Sequence, residues 1–595
     1  MCGVLGLLSL SDKYILDNIK LTESLNKLKF RGPDDIDFVN KKNIWIGHTR
    51  LSIIDLKTGK QPMISNCGRY VISFNGEIYN YKILKDKINY EFKTDSDTEV
   101  ILAGFLQYGK IFFKELEGMF AFSIVDLEEE KIIITRDRFG IKPLLYFLDK
   151  EFFIFSSEIK SLLPFVNKKQ IETKNMQEYF LRRFIPSPNT IYKNIFKLKA
   201  GEIISISKKN RVLKKENFSY QVSNYINKSN KILKKSQLIN ILRKSVKKHL
   251  VSDVPIGVLL SGGIDSSLIT YLASTLNSKV STFTVGIKNY KHNSDLEYAR
   301  IIANNLNTNH NEILVDKISK QELIKVIKYF DEPFADTSIL FYYLLSKNCS
   351  KKFKVFLSGD GADEIFYGYR SYNKIANTKS IYNKNLYKLI FNLSKFNNKF
   401  YSLLNKITHS NEEKYSIGYY GMSKVYLEKL FNTSLDFLYF PEKYNIRSLR
   451  DYDLEVNLPD YYLQKVDKIS MMNSFEVRVP FLDKDILGSV NYLDKNSLFN
   501  KSDGKSILKE LFNEYLPSSI INRPKQGFIR DWKYIFRDDL NELFDNYVDD
   551  NLLSMLNINK NKYLYILKSK TSINLLMQWR ILVFGIWYKE NFIQN

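Results

Sequence analysis

Cysteine and histidine are scarce in this chain of 595 residues, which has three of the first and five of the second. Cys2, Cys67 and Cys349 share no paired spacing, which excludes a zinc ribbon, an iron–sulfur centre and a secreted disulfide framework. Glycine and proline number only 25 and 13, so collagen-like or low-complexity character is excluded as well. Long apolar runs are missing. The most apolar late stretch, 573–588, is broken by Asn574, Gln578 and Arg580, falls short of the roughly 18 residues of a membrane span, and reads as a buried helix. The opening residues are apolar but lack a basic stretch before them and a small-residue cleavage site, so no signal peptide is expected. A reducing, cytoplasmic setting fits this composition.

The chain is 44% hydrophobic and 26% charged, an ordinary globular balance, and its length predicts two to four domains. Its net charge of +24 invites a nucleic-acid partner. The lysines are nevertheless scattered, with no arginine-rich block, and are read as solvated faces; neither nucleic acid nor membrane is expected to bind.

Over the first 160 residues, short runs dense in Ile, Val, Phe and Tyr (44–46, 70–74, 119–126, 131–136, 144–148, 151–156) predict antiparallel strands. Residues 16–29 and 98–108 carry helical spacing, giving an α+β domain of packed sheets. Between 199 and 235 the chain turns Lys-, Asn- and Ser-rich, where the inter-domain connection is expected. Strands at 254–260, 280–285, 312–315 and 354–357 then alternate with helices at 265–276, 296–306, 320–329 and 339–346. This is the pattern of a parallel sheet flanked by helices, with ligands at the carboxyl ends of its strands. The remainder reads as helical, with a lysine-rich insert near 377–450.

Loss of the initiator methionine exposes Cys2 with its own α-amine, which titrates at about pH 8, as the nearest base. Arg31-Gly32-Pro33-Asp34, His48-Thr49-Arg50-Leu51-Ser52-Ile53, Phe74-Asn75-Gly76-Glu77 and Ser96-Asp97-Thr98-Glu99 follow. Arg50 can grip a carboxylate, and Asp97 with Glu77 an ammonium, which together are the two charged ends of a free amino acid. Asn75 and the Gly76 N–H, expected in a turn, are donors suited to a tetrahedral oxyanion.

With Glu117-Gly118-Met119-Phe120 and Arg136-Asp137-Arg138-Phe139-Gly140-Ile141-Lys142-Pro143, these motifs resemble the N-terminal-nucleophile glutamine amidotransferase domain of asparagine synthetases. The resemblance implies an αββα sandwich that hydrolyses glutamine through a Cys2 thioester. It also implies glutamine contacts from Arg50, Leu51, Ile53, Asn75, Gly76, Glu77 and Asp97. His48 is set aside as a partner for Cys2, and 136–143 is expected to shape the fold.

The run Val258-Leu259-Leu260-Ser261-Gly262-Gly263-Ile264-Asp265-Ser266-Ser267 leads a strand into Ser-Gly-Gly and a helix start, which presents N–H groups and hydroxyls to an anion. It is neither a Walker loop nor a dinucleotide fingerprint. It resembles the PP-loop of N-type ATP pyrophosphatases, which implies ATP contacts from Leu260, Ser261, Gly262, Gly263, Asp265, Ser266, Ser267, Val285, Ser358 and Gly359. Magnesium would fall to Asp265 and Asp363. In Leu357-Ser358-Gly359-Asp360-Gly361-Ala362-Asp363-Glu364, Asp360 stands where asparagine synthetases often have Glu, next to the acyl acceptor. Lys525, in Arg523-Pro524-Lys525-Gln526-Gly527-Phe528, matches a lysine that neutralises phosphate; Asp467 and Arg478 are taken as structural.

The resulting expectation is a glutaminase domain at 1–208, a linker at 209–235 and a synthetase domain at 236–595. Its substrates would be glutamine, ATP with Mg2+, and a carboxylate, aspartate first; a homodimer is allowed. Amidation of a polysaccharide uronic acid, lactam closure, and a PP-loop RNA-modifying or RNA-binding protein stay open as alternatives.

Overall fold

The computed structural model describes residues 1–218, 235–288, 294–369, 372, 415–435, 446–490, 493, 504–523, 536 and 540–593. Lys525, residues 219–234 of the expected linker and most of the lysine-rich insert lie outside them.

The first half holds strands β1 (Gly3–Ser9), β2 (Asp35–Lys41), β3 (Ile44–Arg50), β4 (Met63–Ile64), β5 (Tyr70–Ile78), β6 (Gly118–Asp126), β7 (Lys131–Arg136), β8 (Leu145–Leu148), β9 (Phe152–Ser156), β10 (Ile195–Lys197), β11 (Glu202–Ser207) and β12 (Lys214–Asn217). They form two six-stranded sheets, ordered β10-β8-β9-β1-β3-β2 and β12-β11-β7-β6-β5-β4. Val4, Leu8, Ile44 and Ile46 from one sheet and Val71, Ala121, Ile132 and Ile134 from the other share one core. Helices Asn18–Asn26 and Asp97–Tyr108 cover the outer faces, the first packing on β3 and the second on β5. This is the expected sandwich.

Three expectations are corrected. Residues 3–9, read only as apolar, are the strand β1, which is buried along its whole length in the middle of its sheet. Asn75 and Gly76 sit not in a turn but within β5, paired with Ala121 and Phe120 of β6. A Cβ on Gly76 would lie 2.1 Å from the Met119 carbonyl oxygen, so glycine is required there by the close approach of the neighbouring strand. The segment expected to start the linker instead carries β12, hydrogen-bonded to β11.

The second half has a five-stranded, all-parallel sheet, ordered β15 (Asn309–Val315), β14 (Ser281–Ile287), β13 (Ile256–Leu259), β16 (Val355–Leu357), β17 (Glu476–Arg478). Its strands carry Val258, Phe283, Val355 and Phe356 buried, as expected of a sheet covered on both faces. The late apolar stretch is the buried helix Ser572–Trp587, which docks against the first half: Tyr179 Oη donates to the Arg580 carbonyl at 2.8 Å. Among the described residues no helix is long and apolar enough to cross a membrane.

Candidate active sites

The first site forms where β1, β3 and β5 meet the second half. Cys2 is buried, and its backbone N–H donates to Asn75 Oδ1 at 2.9 Å. That bond orients the Asn75 amide, and its buried Nδ2 donor has no hydrogen-bond partner. Arg31 holds the Cys2 carbonyl through Nε at 3.0 Å and anchors itself on Glu158 (2.6 Å) and Asp467 (2.9 Å). Burial pushes the Cys2 thiol up, while the N-terminal charge of the preceding Met1, the Leu51 backbone and Arg50 act to lower it.

Arg50, at the end of β3, donates Nη2 to the carbonyls of Asp55 (2.6 Å) and Ile54 (3.3 Å), stiffening the loop that follows it. Leu51 and Ile53 in that loop are buried, and the Ile53 carbonyl accepts the Asp253 N–H of the second half at 3.1 Å. Asp97 opens helix Asp97–Tyr108 behind the N-cap Ser96, and its Oδ2 accepts the Ile78 N–H at 2.9 Å. Burial lifts Asp97 to about 7, against the pull of the Ile78 and Thr98 N–H groups. Burial likewise raises Glu77, reinforced by Glu476.

His48 points elsewhere. Its Nδ1 pairs with Ser73 Oγ at 3.0 Å between strands, and burial drives it down to about 3. The 136–143 segment is structural, as expected: Asp137 accepts the N–H groups of Phe139, Ile141 and Lys142, and Arg136 holds the Lys142 and Leu198 carbonyls.

The second site lies at the carboxyl ends of β13 and β16, where the strand order turns back on itself. Leu260 N–H bonds to Phe283 O at 2.8 Å, and the Ser261 N–H and Oγ both meet Ser266 Oγ, closing a compact loop ahead of helix Ile264–Leu276. Gly262 has φ +68°, and a Cβ there would lie 2.5 Å from Tyr298, so both backbone conformation and space demand glycine. Gly263 caps the helix with no side-chain hydrogen bond, and the Ser267 hydroxyl is buried without a partner. Val285 lies in β14, the strand next to β13. On the β16 side a Cβ on Gly359 would stand 2.8 Å from Ser266 N, so the two loops touch. Ser358 Oγ donates to Asp360 at 2.5 Å and Tyr342 Oη at 3.4 Å, and burial raises that carboxyl.

Two cations here escaped the sequence reading. Lys505 Nζ bonds Asp265 and lies 2.7 Å from Asp363 Oδ1, so the two carboxylates expected to hold a metal converge on one positive charge. Arg523 donates to the Ser261 carbonyl at 2.9 Å and stacks over Tyr298. Lys505 sits in no motif that could have marked it. Arg523 opens the Arg523–Phe528 motif, in which the resemblance points to Lys525 instead.

The halves are joined by buried charges. Lys468 bonds Glu158 and lies 3.1 Å from Asp331, beside a cavity lined by Arg136, Ile141, Pro143, Lys197, Pro459 and Asp467.

Comparison with known proteins agrees with this division. Residues 1–218 match the glutamine amidotransferase domain family and residues 237–589 the asparagine synthase family. The Bacillus subtilis glutamine-hydrolysing asparagine synthetase 1 is 30% identical, covering 99% of this chain and 97% of its own. A putative asparagine synthetase of Methanocaldococcus jannaschii is 38% identical over 62% of this chain and 76% of its own, and Escherichia coli asparagine synthetase B is 29% identical over 93% and 86%. This chain belongs to the glutamine-hydrolysing asparagine synthetase family.

Proposed function

We propose that the chain makes asparagine from aspartate, glutamine and ATP, working with small molecules in the cytoplasm. The observation that carries this reading is the pairing, in one chain, of Cys2, hydrogen-bonded through its backbone to an Asn75 whose amide donor is left unpartnered, with a Ser-Gly-Gly loop beside two carboxylates that share one lysine.

At the first site the Cys2 thiolate attacks the side-chain amide carbon of glutamine, with Arg50 on its carboxylate and Glu77 and Asp97 on its ammonium. Asn75 Nδ2 and the Gly76 N–H receive the oxyanion. Once Met1 has been removed, the freed Cys2 amine takes the thiol proton and delivers it to the leaving nitrogen as the C–N bond breaks, and water then cleaves the thioester to glutamate. Ammonia passes inward between the halves, past the buried Lys468–Asp331 charges, shielded from the bulk solvent that would protonate it.

At the second site a carboxylate oxygen of aspartate displaces pyrophosphate from the α-phosphorus of ATP, and ammonia then displaces AMP from the acyl carbon. The Ser261–Ser267 loop cradles the pyrophosphate, and Lys505 and Arg523 offset the charge that builds on it. The donor set of Asp265 and Asp363 fits a hard cation, because both carboxylates already converge on one. Mg2+ held there would neutralise the departing pyrophosphate. Asp360 faces the acyl side, with Ser358 and Tyr342 fixing its orientation.

The test is product analysis. Aspartate, glutamine and ATP should yield asparagine, glutamate, AMP and pyrophosphate in equal amounts. AMP formation with a sugar acid or tRNA, and none with aspartate, would overturn the reading.

A further inference from the structure

Arg478 was expected to be structural, and its surroundings give it more to do. It lies on β17, the edge strand of the second half, and is fully buried. Three of its hydrogen bonds pin it: Nε to Glu476 Oε1 at 2.6 Å, and Nη1 to the carbonyls of His249 (2.8 Å) and Val251 (2.6 Å). Its remaining nitrogen, Nη2, crosses to the first half and faces Glu77 Oε2 at 3.6 Å. Neither of these two buried atoms has a hydrogen-bond partner. Asn75, Glu77 and Tyr79 occupy alternate positions along β5 and its extension, so the oxyanion donor, the ammonium-holding carboxylate and a ring lying under the Arg478 guanidinium share one face.

The backbone of Arg478 reaches the other site. Its carbonyl accepts the Ser358 N–H at 2.9 Å, and β17 runs parallel to β16, which ends one residue before that serine. One residue therefore touches the glutamine clamp through its side chain and the nucleotide loop through its main chain.

We propose that Arg478 is a positioning residue for glutamine, holding Glu77 toward the substrate's ammonium and making that hold depend on the state of the nucleotide loop. The inference rests on the reading of Cys2 as the glutaminase nucleophile. Burial and Glu476 already disfavour the Glu77 anion, and Arg478 is the facing charge that opposes them, so removing it should make Glu77 still harder to ionise and weaker toward an ammonium. Removing it should disturb substrate binding more than the thiol chemistry, which Cys2 and Asn75 carry.

The experiment measures glutaminase kcat and KM of the full chain, with and without ATP plus aspartate, for wild type, Arg478→Met, Arg478→Lys and Glu476→Gln. Ammonia-dependent synthesis reports whether each variant is folded. The expected result is a glutamine KM raised about tenfold or more in Arg478→Met with kcat changed severalfold at most. Arg478→Lys should recover part of the loss, and the nucleotide's effect on the wild-type KM should disappear in Arg478→Met. If Arg478→Met does not fold, Glu476→Gln, which loosens the same guanidinium, should show the same pattern at smaller size. A KM within twofold of wild type, a loss confined to kcat, no rescue by lysine, or a wild-type KM indifferent to nucleotide would overturn the proposal. A wild-type chain with no glutaminase activity at all would instead remove the Cys2 reading beneath it.

Discussion

Lys505 Nζ lies 2.7 Å from Asp363 Oδ1 and also bonds Asp265, joining the ends of two neighbouring strands through one ammonium group. Burial works against that charge, but the two carboxylates more than offset it and hold the lysine above its ordinary range. Lys505→Met should lower synthesis from both glutamine and ammonia by about 10²-fold or more, the size of effect seen when one well-placed charge at a reacting centre is lost. Glutamine hydrolysis at Cys2 should continue. Pyrophosphate release and glutamate formation, assayed side by side, check both halves of this expectation.

Asn75→Ala removes the unpartnered Nδ2 donor beside Cys2. Glutaminase kcat should fall by about 10²- to 10³-fold with little change in KM, because the donor acts on the oxyanion and not on bound glutamine. Ammonia-dependent synthesis is the control, since it does not pass through this site.

Asp97 lies at about 7 because burial opposes its ionisation, and it must be ionised to hold an ammonium. In the free enzyme kcat/KM for glutamine should therefore rise as pH climbs through about 7. The sign for stability is opposite: a carboxyl raised above its unfolded value of 3.8 stabilises fully below that value, and the benefit is gone once pH passes about 7. In Asp97→Asn the rise in the kcat/KM profile should vanish, at a much reduced activity.

His48, depressed by burial from 6.5 to about 3, is a structural histidine on this account. Its neutral form stabilises the fold above pH 6.5, and that contribution is lost as pH falls toward about 3. His48→Gln should keep glutaminase activity within severalfold and make the loss of stability over that window shallower, at about 1.4 kcal/mol less per pH unit. Denaturant unfolding at stepped pH measures it.

The candidate motifs were legible in the sequence because each is local: Cys2, the Asn75-Gly76-Glu77 run and the Ser261–Ser267 loop each lie within a few residues. The helices at 320–329 and 572–587 were legible from their spacing and apolar content. β1 was not, because a strand buried on both faces shows no alternation to read. β17 was too short, at three residues. Lys505 and its carboxylate partner Asp265 are 240 residues apart, and nothing near Gly504-Lys505-Ser506 announces a site; the fold alone brings them together. Arg478 reads from the sequence as structural, because its contacts with Glu77 and Ser358 depend on how the halves meet.

The central claim is that one chain holds two separable reactions, ammonia release at Cys2 and amide formation at the Ser261–Ser267 loop. Cys2→Ala, assayed with aspartate and ATP, tests it most directly. Asparagine and AMP should still form when ammonia is supplied and should fail to form when glutamine is the only nitrogen source. A folded Cys2→Ala chain that makes asparagine from glutamine, or from neither nitrogen source, would contradict the account.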